Sequence, residues 1–263
     1  MTALAHDSFA LARRNLEHVR QIPEKLLDVT LQPIMFVLLF AYVFGGVIAV
    51  PGGDYHEYLV GGILVQSLVF GMMGPGVAIA TDMQEGIVDR FRSLPMSRAA
   101  FVLGHVIAEM AAIVVAITIL TITGLVVGWG IHSDLVHAVG GFGLLLLLAF
   151  AMIWLGMALG LAVRSPDAVQ GVAFMVVFPL TFVSTVFVPA AGLPDGLRQF
   201  AEWNPVSAFS AAVRDLFGNP TAATADPPLP LQHPVLTSVI WCLVIVGIAA
   251  PMAIRRYKAR TTD

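Results

Sequence analysis

Apolar residues fall into six long runs, at about Leu31–Val50, Tyr58–Ala80, Ala99–Val127, Val139–Val163, Ala168–Val188 and Val235–Ile254. Each run is long enough to cross a bilayer as a helix, which needs roughly 20 apolar residues and pairs all of its own backbone groups in lipid. The pattern therefore predicts an all-α, polytopic membrane protein with six transmembrane helices. Between runs two and three the pattern breaks. Residues 81–98, Thr-Asp-Met-Gln-Glu-Gly-Ile-Val-Asp-Arg-Phe-Arg-Ser-Leu-Pro-Met-Ser-Arg, hold three acids and three arginines. Ile87, Phe91 and Leu94 stand at i, i+4 and i+7 among those charges, and Pro95 ends the pattern, so a short amphipathic helix is expected there. A helix outside the bilayer needs something against which to bury its apolar stripe, and a groove on a cytoplasmic partner is the simplest answer.

Two other segments carry helical periodicity without the length to span. Residues 6–30 place Phe9, Ala12, Leu16, Val19, Ile22 and Leu26 on one face and Arg13, Arg14, Glu17, Arg20 and Lys25 on the other. This reads as a helix lying in the headgroup plane and ending near Pro23. Residues 1–30 are thus read as a cytoplasmic amphipathic segment, and residues 31–263 as a six-helix transmembrane domain. Between runs five and six, residues 189–234 are expected to form two short helices. One opens at Pro194 with Leu197, Phe200 and Ala201 on a face. The other follows Trp203-Asn204-Pro205 and groups Val206, Phe209, Val213 and Leu216. They would dip into the outer leaflet or cap the bundle, with Trp203 at the interface and a loop from Asn219 to Pro234.

Composition agrees with lipid as the solvent. The 263 residues are 58% hydrophobic and 12% charged, with mean hydropathy +0.86, whereas soluble domains carry about 25% charged residues. A net charge of −3 gives no argument for nucleic acid. The single cysteine, Cys242, cannot form an intrachain disulfide. The first apolar run starts only near Leu31 after a charged segment, so no cleavable signal peptide is expected. Lys and Arg set the orientation. Twelve of the fourteen lie before span one, in the second and fourth connections or in the tail, and only Arg198 and Arg214 fall on the other side. Both termini are therefore expected in the cytoplasm of a cell whose inner, or plasma, membrane holds the chain.

The chemistry that is missing narrows function further. A P-loop needs a lysine in a Gly-rich turn. The only lysines, Lys25 and Lys258, are not in one, so this chain is not expected to hydrolyse ATP. No H-E-x-x-H or G-x-S-x-G occurs, and the histidines suggest no metal set. Glu109 is the one acid inside a span, with His105 a turn earlier on the same face. It reads as a shallow structural acid paired with His105 or a neighbouring helix, as a proton-coupling group, or as a residue coupling substrate or helices. Gly124-x-x-x-Gly128 and Gly156-x-x-x-Gly160 would permit close helix contact, and Pro75 and Pro179 would kink spans two and five.

The charged segment also carries a family resemblance. Asp82-Met83-Gln84 followed by Gly86-Ile87-Val88-Asp89-Arg90-Phe91-Arg92-Ser93-Leu94-Pro95-Met96 resembles the permease subunits of drug-exporting ABC transporters, the daunorubicin-resistance DrrB-like group. The likeness returns at Arg164-Ser165-Pro166-Asp167, Phe178-Pro179-Leu180-Thr181-Phe182, Phe187-Val188-Pro189 and Asn204-Pro205-Val206, and covers nearly the whole chain. It implies a permease that pairs with a second copy, usually as a homodimer, and binds two copies of a separate cytoplasmic P-loop ATPase. ATP and Mg would sit on that partner, with no cofactor on this chain. The segment around Glu85, Gly86, Asp89, Arg90, Phe91, Arg92, Leu94 and Pro95 would be the coupling helix, its charges making polar contacts and Phe91 and Leu94 filling the groove. The chain departs from the family pattern at His105, where an arginine is expected, and at Glu109, where an aspartate is expected. The implied function is export of an amphipathic drug or lipid-like molecule. The alternatives from other classes are a proton-coupled secondary transporter using Glu109 and a membrane scaffold without transport.

Overall fold

A computed structural model describes residues 31–32, 34–85, 98–163, 165–224 and 226–260. The expected interfacial helix at 1–30, Arg164 and the segment 86–97 lie outside the described residues. Among the described residues the chain is helical throughout, with α1 (Ile34–Phe44), α2 (Tyr55–Phe70), α3 (Met73–Gln84), α4 (Arg98–Val127), α5 (Leu135–Gly160), α6 (Pro166–Phe182), α7 (Asp195–Trp203), α8 (Pro205–Phe217), α9 (Leu229–Gln232) and α10 (Pro234–Arg260).

Every expected apolar run contains a helix, but among the described residues four helices are long and apolar enough to cross a membrane. These are Tyr55–Gln84 (α2 and α3 together), Leu103–Val127, Leu135–Gly160 and Pro234–Tyr257. The other two helices are shorter over the described residues. α1 finishes as a π turn over Phe40–Phe44 and runs into Gly45-Gly46. α6 has 17 residues, about 26 Å at 1.5 Å per residue, and stops three residues after Pro179. The break in span two falls at Gly71–Met72. Pro75 sits in the first turn of α3, where its missing N–H removes no helical bond.

Local sequence chemistry starts the helices. Asp54, Asp134, Ser165 and Asn204 each accept a backbone N–H from the first turn of the helix they precede, which satisfies a donor that the helix itself cannot. Gly218 closes α8 in the left-handed conformation at φ 70°. A β-carbon there would also stand 2.8 Å from the Ser133 nitrogen.

α5 is the centre of the bundle, packing on α2, α3, α4, α8 and α10. Leu145, Leu148, Ile153 and Met157 are its fully buried contacts. Its crossing with α3 depends on Gly156 and Gly160. A β-carbon on Gly156 would come 2.0 Å from the Met72 carbonyl oxygen, and one on Gly160 2.2 Å from that of Gly76. This small-residue pair therefore brings two backbones together, as its spacing predicts. Gly124 and Gly128 divide their work differently. Gly124 admits Val60 and Trp129, while Gly128 turns the chain at φ 104°.

Between α6 and α10 the two expected short helices are α7 and α8, and they differ in burial. α7 turns Leu197, Phe200 and Trp203 outward and buries Ala201. α8 is buried from Val206 to Arg214, so it is packed into the bundle on nearly every side. The loop expected from Asn219 to Pro234 contains one additional turn of helix, α9.

Candidate functional site

Polar groups gather at the two ends of the bundle. At one end α3 and α4 flank the charged segment. Of the residues expected to couple, only Glu85 is described; Gly86, Asp89, Arg90, Phe91, Arg92, Leu94 and Pro95 fall outside. Glu85 is the exposed C-cap of α3, and its N–H donates to the Thr81 carbonyl at 2.9 Å. One turn back, Asp82 reaches across to α4, where its Oδ2 lies 3.0 Å from His105 Nε2. Both side chains are largely shielded, at 15% and 9% exposure. The cross-helix partner given for His105 is thus Asp82, from the Asp-Met-Gln motif, and the departure from arginine at 105 still leaves a contact between α3 and α4. Glu109 is half-buried and faces the start of α3. Its Oε2 lies 3.7 Å from where a β-carbon on Gly74 would stand, so its surroundings are protein.

At the opposite end lies a second cluster, which sequence reasoning missed. Arg214 on α8 is fully buried. Its Nε donates to the Tyr58 carbonyl at 2.7 Å, and its Nη2 to the Val186 carbonyl at 2.9 Å. The guanidinium carbon lies 3.5 Å from the centre of the Tyr58 ring. No acid shares this site among the described contacts, so two carbonyls and an aromatic face carry the charge. A planar fork can meet such a set, and a lysine ammonium cannot. Space comes from Gly61 and Gly62. A β-carbon on Gly61 would sit 2.9 Å from Arg214 Cγ, and one on Gly62 2.7 Å from Nη2.

The rest of this end is stitched to the irregular stretch after α6. Tyr58 and Tyr55 donate their hydroxyls to the Thr185 and Phe187 carbonyls, at 2.6 and 3.1 Å. Thr185 N–H donates to Ser207 Oγ at 2.9 Å. Asn204 Nδ2 donates to the Leu180 and Val183 carbonyls at 2.6 and 2.8 Å, satisfying oxygens that the end of α6 leaves open. Asn219 links Trp129 Nε1 to the Gly130 carbonyl, both at 2.8 Å. A signal for this cluster existed. Ser207, Ser210 and Arg214 stand at i, i+3 and i+7, a polar stripe on a helix whose apolar stripe drew attention instead. On the exposed rim, hydrogen bonds from the His56 backbone N–H and then from its ring hold the Asp54 carboxyl below its usual range. Among the described residues no cluster of histidine, cysteine or carboxylates could hold a metal.

Among the described residues, a helical bundle with four lipid-length apolar helices is the architecture of an integral membrane protein. The chain belongs to the ABC-2 type transporter family, whose profile matches residues 7–217. It is 30% identical over 241 residues to the daunorubicin resistance ABC transporter permease protein DrrB1 of Streptomyces coeruleorubidus, covering 91% of this chain and 81% of that one. It is 24% identical over 232 residues to the doxorubicin resistance ABC transporter permease protein DrrB of Mycobacterium tuberculosis, covering 85% and 80%. A shorter match, 23% over 194 residues, is to ABC transporter G family member 20 of Dictyostelium discoideum, covering 72% of this chain and 25% of that protein. The chain is therefore the membrane permease of an ABC exporter, and its family associates with an ABC ATPase.

Proposed function

We propose that this permease crosses the plasma membrane six times with both termini in the cytoplasm, pairs with a second copy of itself, and engages two copies of a separate P-loop ATPase. The pair would export an amphipathic compound, for which the anthracyclines named for the relatives are the natural probe. α1 and α6 serve as the two short spans, the irregular stretch 183–188 completing the crossing of α6. The Arg214 cluster then faces outward and the Asp82–His105 contact faces the cytoplasm, as the distribution of Lys and Arg favours.

The observation that carries the coupling assignment is the His105–Asp82 contact at 3.0 Å. It joins α3 to α4 just beyond the charged segment that connects them. A push on that segment therefore moves two helices as a unit, and α3 passes the movement to α5 through the Gly156–Gly160 crossing. Phe91 and Leu94 are assigned to the ATPase groove, and Glu85, Asp89, Arg90 and Arg92 to its rim. Glu109, half-buried against α3, is assigned a structural role.

Co-purification in mild detergent tests the reading. Tagged wild-type permease should bring down a P-loop ATPase, and Phe91→Asp should lose it while remaining inserted. An ATPase retained by Phe91→Asp would remove the segment from the interface.

A further inference from the structure

Apart from both polar ends, α2, α5, α6, α8 and α10 enclose a cavity of about 340 Å³. No polar atom contributes to its wall. A cavity without polar partners holds no water, and left empty it forfeits the contacts of every lining atom. Its mouth is set by the lining residues that remain exposed: Val172 and Val176 on α6 and Trp241 on α10. These two helices hardly touch, each leaning on other members of the bundle. The slot follows α6 from Val172 to Leu180, about 12 Å at 1.5 Å per residue, and is capped by the Pro205-Val206 start of α8.

We propose that this slot is a binding site for one hydrocarbon chain of a membrane phospholipid, entering sideways between α6 and α10. The medium at the mouth is the bilayer's own hydrocarbon, and the slot runs along a spanning helix, the direction in which lipid chains lie. A transported amphiphile would have to bring its polar group into a wall that offers it no partner, whereas a phospholipid keeps its headgroup at the membrane surface. The chain completes the packing between α6 and α10 as a compliant filler, so the two helices can shift without opening a void.

The test uses the full-length permease with its ATPase in nanodiscs containing phosphatidylethanolamine with a diazirine in one acyl chain, followed by illumination and peptide mapping. Adducts should concentrate on Ala173, Val177 and Ile245 over the exposed Met175 and Leu243. Ala173→Phe, which fills the slot, should lower labelling there about tenfold, the loss expected on excluding two methylene groups. Phe209→Ala, which enlarges the slot, should raise it, so the proposal stands on two variants of opposite sign. Adducts spread evenly over exposed positions, or unmoved by either variant, would overturn the site. Displacement of slot adducts by excess doxorubicin would overturn the lipid as occupant and give the slot to the exported compound.

Discussion

The Arg214 end and the Asp82 end both bury polar groups, and they solve the problem in opposite ways. Around Arg214 a full positive charge is met by two backbone carbonyls and a tyrosine ring, and at least four other side chains tie the same stretch of backbone down. Around Asp82 a 3.0 Å contact with His105 joins two helices next to a charged segment. The first arrangement ties one stretch of backbone down through several bonds, with the fully buried Arg214 among them. The second joins two helices beside the segment that connects them. In the proposed coupling, the cap would keep its form and the joint would pass force.

The contrast sets the order of the expected effects. Arg214→Ala should have the largest. It leaves the Val186 carbonyl without its donor, at about 1–3 kcal/mol, and opens a cavity against Tyr58, at about 2–5 kcal/mol for a large-to-alanine change. Thermal unfolding in detergent should show it, and Arg214→Lys should recover little, because an ammonium cannot span both carbonyls and stack. Near-wild-type stability of Arg214→Ala would mean the cap does not depend on that charge.

Next comes Gly156→Val. Its β-carbon alone would meet the Met72 carbonyl at 2.0 Å, so α3 must move away from α5, at about 1–3 kcal/mol or more. The same thermal measurement, with the yield of folded protein on size exclusion, reads it.

His105→Ala should change stability less and function more. Expected is a normally assembled complex in which ATP hydrolysis continues while doxorubicin transport into inside-out vesicles falls. His105→Arg should restore the ratio of transport to hydrolysis, since a guanidinium reaches Asp82 as well. A ratio unchanged in His105→Ala would remove the joint. Glu109→Gln should leave transport close to wild type; its abolition would favour a proton route.

The smallest effect is at the exposed rim. Asp54→Ala removes the N-cap of α2 at about 1 kcal/mol. The lowered Asp54 pKa means that its contribution is present above the ordinary carboxylate range and fades as pH falls below it. The stability difference between wild type and Asp54→Ala should accordingly shrink on acidification.

Sequence pattern alone reached far into this fold, and its failures have a common cause. Among the described residues, apolar run length located four helices long enough to span and two shorter ones, because the bilayer fixes both length and polarity. Gly156 and Gly160 were legible, since close approach leaves few other residue types. Arg214 was not. Counted as an outward positive charge, it is held by Tyr58, 156 residues away, and Val186, 28 residues away, contacts that exist only once α2, α8 and the stretch after α6 have met. Glu109 was expected to pair with His105 a turn away or with a neighbouring helix, and the contact of His105 with Asp82 was not foreseen. That contact, 23 residues back, depends on how α3 and α4 register across the segment between them, which periodicity does not encode. The dry slot was illegible for another reason: its lining uses the same residue types as a lipid-facing surface.

The central claim is that the charged segment, and not the cap, receives the ATPase. It is tested most directly by a photo-crosslinking residue placed at Phe91 and, separately, at Leu197, with the permease and its ATPase in native membranes. The account predicts an adduct with the ATPase from position 91 and none from position 197. An adduct from position 197, or silence at 91 while the ATPase still co-purifies, would contradict it.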